Sequence, residues 1–550
     1  MKEQAGASDW GKGQGRKALA LLALGLALLL GLAHPASAEH GFTSPALLSS
    51  NGTSDSGYDM DVNIVTDGVR WIAAWNSNED LNGTAGTDDD VFFATSVDNG
   101  SSWTAPALLN SNGTSDAGHD ADPNLATDAA GNWVAIWISS ENLEGTAGAD
   151  VDVFVATSAN NGANWTAPAL LNTNGASDAG LDIEPRIATD AAGNWVVVWQ
   201  SIEDLNGTAG TDADIFVATS IDNGTSWTAP ALLNSNGASD TGHDIFPELT
   251  TDAVGNWIAS WQSNEDLNGT AGTDDDVFFA TSVDNGFSWT APALLNSNGA
   301  SDAGGDFAQI ISTDAAGNWV ASWTSLENLD GTAGIDADIF VATSVNDGAS
   351  WTTPALLNTN GTTDAANDVG SQISTDAAGN WVAVWRSDED LNGTAGTDDD
   401  IFLATSANNG ASWSAPALLN TNGTSDTGND LLVRLTTDTA GHWVAVWQSW
   451  EDLDGTAGTD DDIFFATSND IDGDGTPDAS DAFPADPSET VDSDFDGTGN
   501  NADADDDNDT WLDAQENQVG TDPLDRFSHP QPDFSSPALL NTNGTSDSST

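Results

Sequence analysis

Three acidic stretches near the end of the chain have the oxygen spacing of calcium-binding loops. In the first, side chains with oxygens stand at positions 1, 3, 5, 9 and 12 around Gly475. Two later stretches repeat this spacing, although Thr510 replaces the glycine in the last one. Calcium takes about six to eight oxygen ligands, and such a loop supplies most of them. The predicted ligands are Asp470, Asp472, Asp474, Asp478, Asp481, Asp492, Asp494, Asp496, Asn500, Asp503, Asp505, Asp507, Asp509, Asp513 and Glu516.

A second set of candidate residues occupies seven equivalent positions of an internal repeat, and these positions differ in chemistry. Two arginines among them can pair with a carboxylate or a sulfate, and one glutamate can act as an acid or a base. The set therefore predicts a ligand-binding mouth. The alternative is that the positions vary because they face a water-filled channel. The seven residues are Asn63, Asn124, Arg186, Glu248, Ile310, Gln372 and Arg434.

The repeat that carries these positions has a period of 62 residues. Each copy contains four strand-like runs, which in the second copy are residues 124–127, 133–137, 153–157 and 107–109. Four strands per copy are typical of a propeller blade. We therefore predict an all-β fold, a seven-bladed β-propeller over residues 39–468, with the seven differing residues nearest its axis. The period is marked by Trp71, Trp133, Trp195, Trp257, Trp319, Trp381 and Trp443.

Each marker tryptophan starts a Trp-x-x-x-Trp run, such as Trp195 to Trp199. Strand alternation puts both rings on one face. We predict that these rings form the core between blades, since every copy has them; a sugar-binding platform is the alternative.

The most specific local motif follows the third strand of a copy and reads Ser96-Val-Asp98-Asn-Gly100-Ser-Ser-Trp103. The motif recurs at residues 158–165, 220–227, 282–289, 344–351 and 406–413. It resembles the Asp box of the sialidase-like propellers. We expect a structural role, in which the aspartate accepts turn amide hydrogens, the glycine is left-handed and the tryptophan covers the blade edge. Copies with asparagine at the aspartate position, such as Asn160, keep the acceptor.

The calcium-like loops, with the Asp-Ala-Phe-Pro run of residues 481–484 between them, resemble bacterial thrombospondin type 3 repeats. That resemblance implies that calcium ions, and not an apolar core, organise residues 469–527. A disordered acidic linker is the alternative interpretation.

Acidic residues also recur in the long loops of the repeat, such as Glu79, Asp88 and Asp90. Antiparallel strand order predicts that these loops share one face of the ring, opposite the Asp boxes. Two interpretations remain open: a calcium site in each blade, or turn caps that accept loop amide hydrogens. A second loop of each copy ends in an aspartate that also recurs seven times, as Asp59, Asp120, Asp182, Asp244, Asp306, Asp368 and Asp430.

Closure of the ring is ambiguous, because the seventh copy lacks a fourth strand of its own. The Pro-Ala-Leu-Leu run at residues 45–48 can supply it from the N-terminal side, and the run at residues 537–540 can supply it after the calcium-like segment. We predict N-terminal closure, since it needs no excursion of the chain. Residues 528–550 are then a linker with part of a further repeat.

The sialidase resemblance implies an arginine triad, a Tyr/Glu nucleophile pair and an aspartate acid/base. The Arg-Ile-Pro signature is missing, and the nearest run is Pro185-Arg186-Ile187. The single tyrosine, Tyr58, precedes the first blade instead of lying late in the chain. We therefore predict no catalytic residues, and leave an exo-sialidase-like hydrolase as the alternative.

Charge and targeting signals limit the partners. The net charge is −78, and no lysine follows Lys17. This excludes nucleic acid and anionic membranes as electrostatic partners. The apolar run from Lys17 to Leu32, followed by Ala36-Ser37-Ala38, predicts a secretory signal over residues 1–38, with an uncleaved anchor as the alternative. The chain contains no cysteine.

Together these patterns predict a secreted or cell-surface, monomeric, non-catalytic propeller that binds a glycan or a protein in adhesion, with calcium as its cofactor. The alternatives are a hydrolase of acidic glycans and a structural spacer.

Chelation is expected to increase protease cleavage within residues 469–527, because the carboxylates repel one another without calcium. Limited proteolysis with and without chelator measures this effect. Identical digestion patterns would contradict the predicted calcium loops.

Overall fold

The computed structural model describes residues 41–528 apart from scattered gaps, so the predicted signal segment and the run at 537–540 lie outside the described residues. The gaps are residues 50–56, 82, 116, 178, 206, 240, 268, 301–303, 363–364, 378, 392, 397, 424–426, 439, 456, 459, 469, 471–475, 477–480, 484–487, 495 and 497.

The described chain forms seven antiparallel four-stranded sheets, which confirms the predicted all-β, seven-bladed propeller. The first strand is β1 (Ala46–Leu47), and blade 1 contains β2 (Asp59–Thr66), β3 (Trp71–Ser77), β4 (Asp90–Ser96) and β5 (Ala107–Leu108). Blade 2 contains β6 (Asp120–Thr127), β7 (Trp133–Ser139), β8 (Asp152–Ser158) and β9 (Ala169–Leu170). Blade 3 contains β10 (Asp182–Thr189), β11 (Trp195–Ser201), β12 (Asp214–Ser220) and β13 (Ala231–Leu232). Blade 4 contains β14 (Asp244–Thr251), β15 (Trp257–Ser263), β16 (Asp276–Ser282) and β17 (Ala293–Leu294).

The remaining blades follow the same order. Blade 5 contains β18 (Asp306–Thr313), β19 (Trp319–Ser325), β20 (Asp338–Ser344) and β21 (Ala355–Leu356). Blade 6 contains β22 (Asp368–Thr375), β23 (Trp381–Ser387), β24 (Asp400–Ser406) and β25 (Ala417–Leu418). Blade 7 contains β26 (Asp430–Thr437), β27 (Trp443–Ser449) and β28 (Asp462–Ser468). The described helices are the short 3-10 helices Leu143–Gly145, Leu329–Gly331 and Leu453–Gly455, and α1 (Asp513–Val519).

Two details of the predicted blade were wrong. The run near Ala107 pairs with β4 and not with β8, so it is the outer strand of blade 1 instead of part of blade 2. The innermost strand of blade 2 begins at Asp120, four residues before the predicted start at Asn124. A β-bulge between Ala121 and Asn124 breaks the alternation there, and the strand continues on both sides of it.

The ring closes through its N-terminal strand, as predicted. Strand β1 pairs antiparallel with β28, and Ala46 lies opposite Phe465. The hydroxyl of Ser49 also donates a hydrogen bond to Asp462 at 3.0 Å. Residues separated by more than four hundred positions therefore form one sheet, blade 7, with the order β1-β28-β27-β26.

The core lies between neighbouring blades. Trp71 and Trp75 are almost completely buried and form one apolar cluster with Val444 of blade 7. The intervening Ile72 faces the other way and packs against Trp133 of blade 2. Each second strand therefore contributes to two interfaces, which confirms the predicted core role of the Trp-x-x-x-Trp run.

The Asp boxes are structural turns, as predicted. Asp98 accepts hydrogen bonds from the backbone N–H of Ser102 at 2.9 Å and from its hydroxyl at 2.6 Å. Gly100 has a left-handed φ of 77°. Where asparagine replaces the aspartate, Asn160 still accepts the turn amide of Asn164 at 3.0 Å.

The boxes also join blades. The glycine of the second box, Gly162, leaves no room for a side chain, because Ile72 of blade 1 fills that space. Trp165 of the same box packs edge-on against Phe93 of blade 1, with 6.1 Å between ring centroids. The box tryptophan therefore covers the neighbouring blade as well as its own edge.

Leu48→Ala should destabilise the propeller by about 2–5 kcal/mol, because Leu48 is fully buried between blades 7 and 1. The matched control is Leu540→Ala in the other Pro-Ala-Leu-Leu run, which should leave stability unchanged. Chemical denaturation of both full-length variants measures the difference. A larger loss in the control would contradict N-terminal closure.

Candidate functional site

All seven innermost strands line one cavity of about 700 Å³ at the axis of the ring. We refer to it as the axial cavity. Its wall depends on a β-bulge that recurs in each innermost strand, where the strand register shifts as it does between Ile183 and Arg186. Bulges redirect side chains, and they often occur beside functional sites. The residues with positive φ at the seven bulges all line the cavity: Asp61, Asp122, Glu184, Phe246, Ala308, Gly370 and Leu432.

This ring of bulge residues was missed from the sequence. Each bulge residue lies two positions before one of the seven candidate residues predicted from the repeat. The bulge residues also differ from copy to copy, and this variation could have identified them in the sequence. Blades 1 to 3 contribute carboxylates, and blades 4 and 7 contribute Phe246 and Leu432, with Phe307 of blade 5 beside them. We call the carboxylates of blades 1 to 3, with Glu248 beside them, the acidic wall of the axial cavity. We call the apolar side chains from blades 4, 5 and 7 its apolar wall.

Only some of the seven candidate residues predicted from the repeat line the axial cavity. Arg186, Glu248, Gln372 and Arg434 line it. The other two polar candidates instead bridge neighbouring innermost strands, where the side-chain oxygen of Asn63 accepts a hydrogen bond from Leu125 N–H and that of Asn124 from Ile187 N–H, both at 3.2 Å.

Arg186 holds the acidic wall together. Its guanidinium contacts Glu248 at 2.9 Å, Glu184 at 3.1 Å and Asp122 at 3.3 Å. Burial disfavours the charged guanidinium, but the three carboxylates outweigh this effect and raise the pKa of Arg186 above its usual range. Arg186 is thus already paired, and Glu248 is one of its partners.

Two carboxyl groups of the acidic wall titrate near neutral pH. Burial, followed by repulsion from Asp122, raises the pKa of Glu184 to about 7, although Arg186 opposes this shift. The same two causes raise the pKa of Asp61 to about 6. Such values let a carboxyl group exchange a proton at physiological pH.

Arg434 differs from Arg186 in its partners. Its guanidinium donates a hydrogen bond to the backbone carbonyl of Val433 at 3.2 Å, and no carboxylate of the described residues forms an ion pair with it. Burial, and then repulsion from Arg186, lower its pKa from the usual range. Glu248, Asp122 and Asp61 oppose this shift from a longer distance. A half-buried cation that no carboxylate contacts directly can form a charge-assisted hydrogen bond with an anion.

The recurring loop acids form a hydrogen-bonded belt between blades. The amide of Asn110 donates to Asp90 of blade 1 and to Asp120 of blade 2, both at 2.6 Å. Burial raises the pKa of Asp90 to about 6 and that of Asp59 to about 7. Asp59, Asp90 and Asp120 are the first residues of β2, β4 and β6, at the ends of the blades opposite the Asp boxes, as the strand order predicts.

The fold is a seven-bladed Asp-box β-propeller. No protein-family model and no curated protein matches the sequence. Among solved structures, the Hadza microbial sialidase Hz136 is 16% identical, with a TM-score of 0.39 over 60% of this chain and 63% of that chain. The NanB sialidase from Streptococcus pneumoniae is 11% identical, with a TM-score of 0.36 over 78% of this chain and 70% of that one. A PL25 ulvan lyase is 13% identical, with a TM-score of 0.42 over 78% of this chain and 94% of that one.

Tyr58 does not line the axial cavity. Its hydroxyl donates a hydrogen bond to Asp89 at 2.7 Å in the loop region. This bond is the largest cause that raises the pKa of Tyr58 to about 12, so the hydroxyl is a poor nucleophile at neutral pH.

The C-terminal segment brings together three of the five predicted ligands in each of two calcium-like loops. The carboxylates of Asp492, Asp494 and Asp496 lie within 4.8 Å of one another, and so do those of Asp505, Asp507 and Asp509. Of the first loop, Asp472, Asp474 and Asp478 lie outside the described residues. No described helix is long and apolar enough to cross a membrane.

The donor set of the third loop fits calcium. Glu516, in α1, is 0% exposed, and neither of its carboxylate oxygens accepts a hydrogen bond from the described residues. Asp513 is already engaged, since it accepts the backbone N–H of Asp506 at 3.0 Å. A buried carboxylate at the twelfth position of an acidic loop, with the Thr521 hydroxyl as its one nearby side-chain donor among the described residues, matches the bidentate ligand of a calcium loop.

Glu184→Gln should become progressively more stable than the wild type as pH rises from about 4.5 to about 8. The raised pKa means that the folded protein holds this proton more tightly than the unfolded chain, so the wild type loses stability as pH rises through about 7. The expected difference is on the order of 1–3 kcal/mol. Denaturation series at several pH values measure it, and a pH-independent difference would contradict the assignment.

Proposed function

We propose that the propeller binds an anionic sugar in its axial cavity, without catalysing a reaction. The observation that carries this proposal is Arg434, a half-buried cation that lines the cavity and makes no direct ion pair with a carboxylate of the described residues. A ligand carboxylate or sulfate would supply the missing partner. Gln372, which lines the same cavity, offers amide donors and an amide oxygen acceptor for the hydroxyl groups of a sugar.

The apolar wall supports a sugar over a purely ionic ligand. Phe246 and Phe307 line the cavity, and Leu432 precedes Arg434 by two residues in the same strand. Sugar rings combine apolar faces with hydroxyl edges, and a site with both kinds of wall matches them. A protein loop that presents a carboxylate is the alternative form of the same ligand chemistry.

The charge of the whole chain restricts the ligand further. A net charge of −78 repels polyanions at long range. A sugar with a single negative charge can still form an ion pair with Arg434, and the whole chain repels it less strongly than it repels a polyanion. Salt outside the cell screens the repulsion over about 8–10 Å.

The remaining parts of the proposal concern location and calcium. We place the protein outside the cell, secreted or on the surface, because residues 1–38 have the pattern of a secretory signal. Calcium would be held by the two described acidic triads and by Glu516, and it would stiffen the C-terminal segment. An adhesive role follows if the cavity end binds a glycan on another surface.

A hydrolase is the second candidate, and the raised pKa values of Glu184 and Asp61 favour it. Two carboxyl groups with different proton affinities in one cavity are what acid/base cleavage of a glycoside uses. Tyr58 argues against a sialidase mechanism, because it lies outside the cavity and its hydroxyl holds its proton tightly.

Arg434→Gln should weaken binding of the glycan that the protein binds best by about ten- to a hundredfold, because it removes a charge-assisted contact. An array of sialylated, uronic-acid and sulfated glycans identifies that glycan, and calorimetry measures the two affinities. The control is Arg526→Gln, which removes an exposed arginine outside the propeller.

The outcomes separate the candidates. Equal affinity of Arg434→Gln and the wild type would contradict the proposed site. Release of a fluorophore from a sialic-acid or uronic-acid reporter, lost in Glu184→Gln, would establish the hydrolase instead. If the protein binds nothing on glycan and protein arrays, the structural spacer becomes the favoured function.

A further inference from the structure

A pair of aspartates in each loop between the second and third strands is not explained by the axial cavity. In blade 1 the pair is Asp88 and Asp90. Asp90 is 0% exposed, and its Oδ1 accepts a hydrogen bond from the amide of Asn110 at 2.6 Å. Asp88 Oδ1 accepts the backbone N–H of Thr87 at 3.2 Å. One oxygen of each carboxylate is therefore satisfied.

The second oxygen of each carboxylate is not satisfied. Oδ2 of Asp88 and Oδ2 of Asp90 are both buried, and neither accepts a hydrogen bond from the described residues. A buried acceptor without a donor costs about 1–3 kcal/mol, and more when it is charged. The same two unsatisfied atoms recur in blades 2, 3 and 4, at Asp150 and Asp152, Asp212 and Asp214, and Asp274 and Asp276. Repetition in four blades makes this a feature of the repeat and not of one loop.

Two glycines let these carboxylates approach the backbone closely. A side chain on Gly86 would lie 2.6 Å from Asp88 Oδ1 and 3.3 Å from the carbonyl oxygen of Gly113. A side chain on Gly113 would collide with Asp90 Oδ1. Blade 3 repeats this arrangement, where a side chain on Gly210 would lie 2.7 Å from Asp212 Oδ1 and 2.9 Å from the carbonyl oxygen of Gly237. Both carboxylates and the glycine carbonyl are therefore grouped around Gly113 in blade 1, at a place where a larger residue would push them apart.

The protein offers no cation of its own for these carboxylates. No lysine follows Lys17 in the sequence, and none of the described arginines forms an ion pair with these eight aspartates. The donors are all hard oxygens, which favour calcium over transition metals.

We propose that each of these four loop pairs binds one calcium ion, with the two aspartates as ligands and the glycine carbonyl as a further oxygen. In blade 1 the ligands are Asp88, Asp90 and Gly113. The ion sits where the loop between β3 and β4 meets the connection from β5 to β6. Asp90 shares Asn110 with Asp120 of blade 2, so the metal site is directly linked to the contact between adjacent blades.

Calcium counting on the full-length protein tests the proposal. The C-terminal loops are first disabled by Asp472→Asn, Asp494→Asn and Asp507→Asn, which change the third position of each predicted loop. Equilibrium dialysis with radioactive calcium should still show at least four ions per chain. Adding Asp212→Asn and Asp214→Asn should lower the number by one.

The matched control is Asp222→Asn in the Asp box of the same blade, where other copies carry asparagine naturally, as at Asn160. It should leave the calcium count unchanged. Loss of all bound calcium on disabling the C-terminal loops would overturn the proposal, and so would an unchanged count in Asp212→Asn/Asp214→Asn. If that last variant fails to fold, the count for the variant with disabled loops decides alone.

Discussion

The packing of each sheet against the next is the interaction on which the whole molecule depends. A four-stranded blade cannot bury its own faces, so Trp71 and Trp75 are buried only because blade 7 covers them. Blade 7 is itself complete only because β1 pairs with β28. The Asp boxes strengthen the same interfaces, since Trp165 lies on Phe93 of the preceding blade. The axial cavity, the hydrogen-bonded aspartates between blades and the ring of Asp-box turns all exist because the blades stack in a closed ring.

Closed stacking also separates the positions that repeat in every copy from the positions that differ between copies. Positions that repeat in every copy lie in the interfaces and the turns, where each blade needs the same contact. The innermost strands face no partner blade across the axis, so their bulge residues are free to differ. Glu184 and Phe246 occupy equivalent positions in adjacent blades, yet one lies in the acidic wall and the other in the apolar wall. The bulge gives both residues the same left-handed backbone conformation, so the chemistry at each position depends only on its side chain.

Much of the fold was predictable, because the tryptophan period and the Asp box depend on local residue types. Strand starts were not, since a positive φ at residues as different as Asp122 and Leu432 leaves no shared signature. The same bulges hid the second ring of the cavity. Within the first ring, the long side chains of Arg186 and Arg434 reach the cavity, whereas the short amide of Asn63 bonds to the neighbouring strand. Side-chain length can be read from the sequence, but the position of the nearest backbone donor on the neighbouring strand cannot.

The central claim is that the axial cavity, and not the repeated surface, holds the ligand. A crystal structure of the calcium-loaded protein grown with its preferred acidic glycan tests this claim most directly. We expect density for the sugar against Phe246, with its carboxylate or sulfate within hydrogen-bonding distance of Arg434. Density for the glycan on the Asp-box face or the outer strands, with none in the axial cavity, would contradict the account.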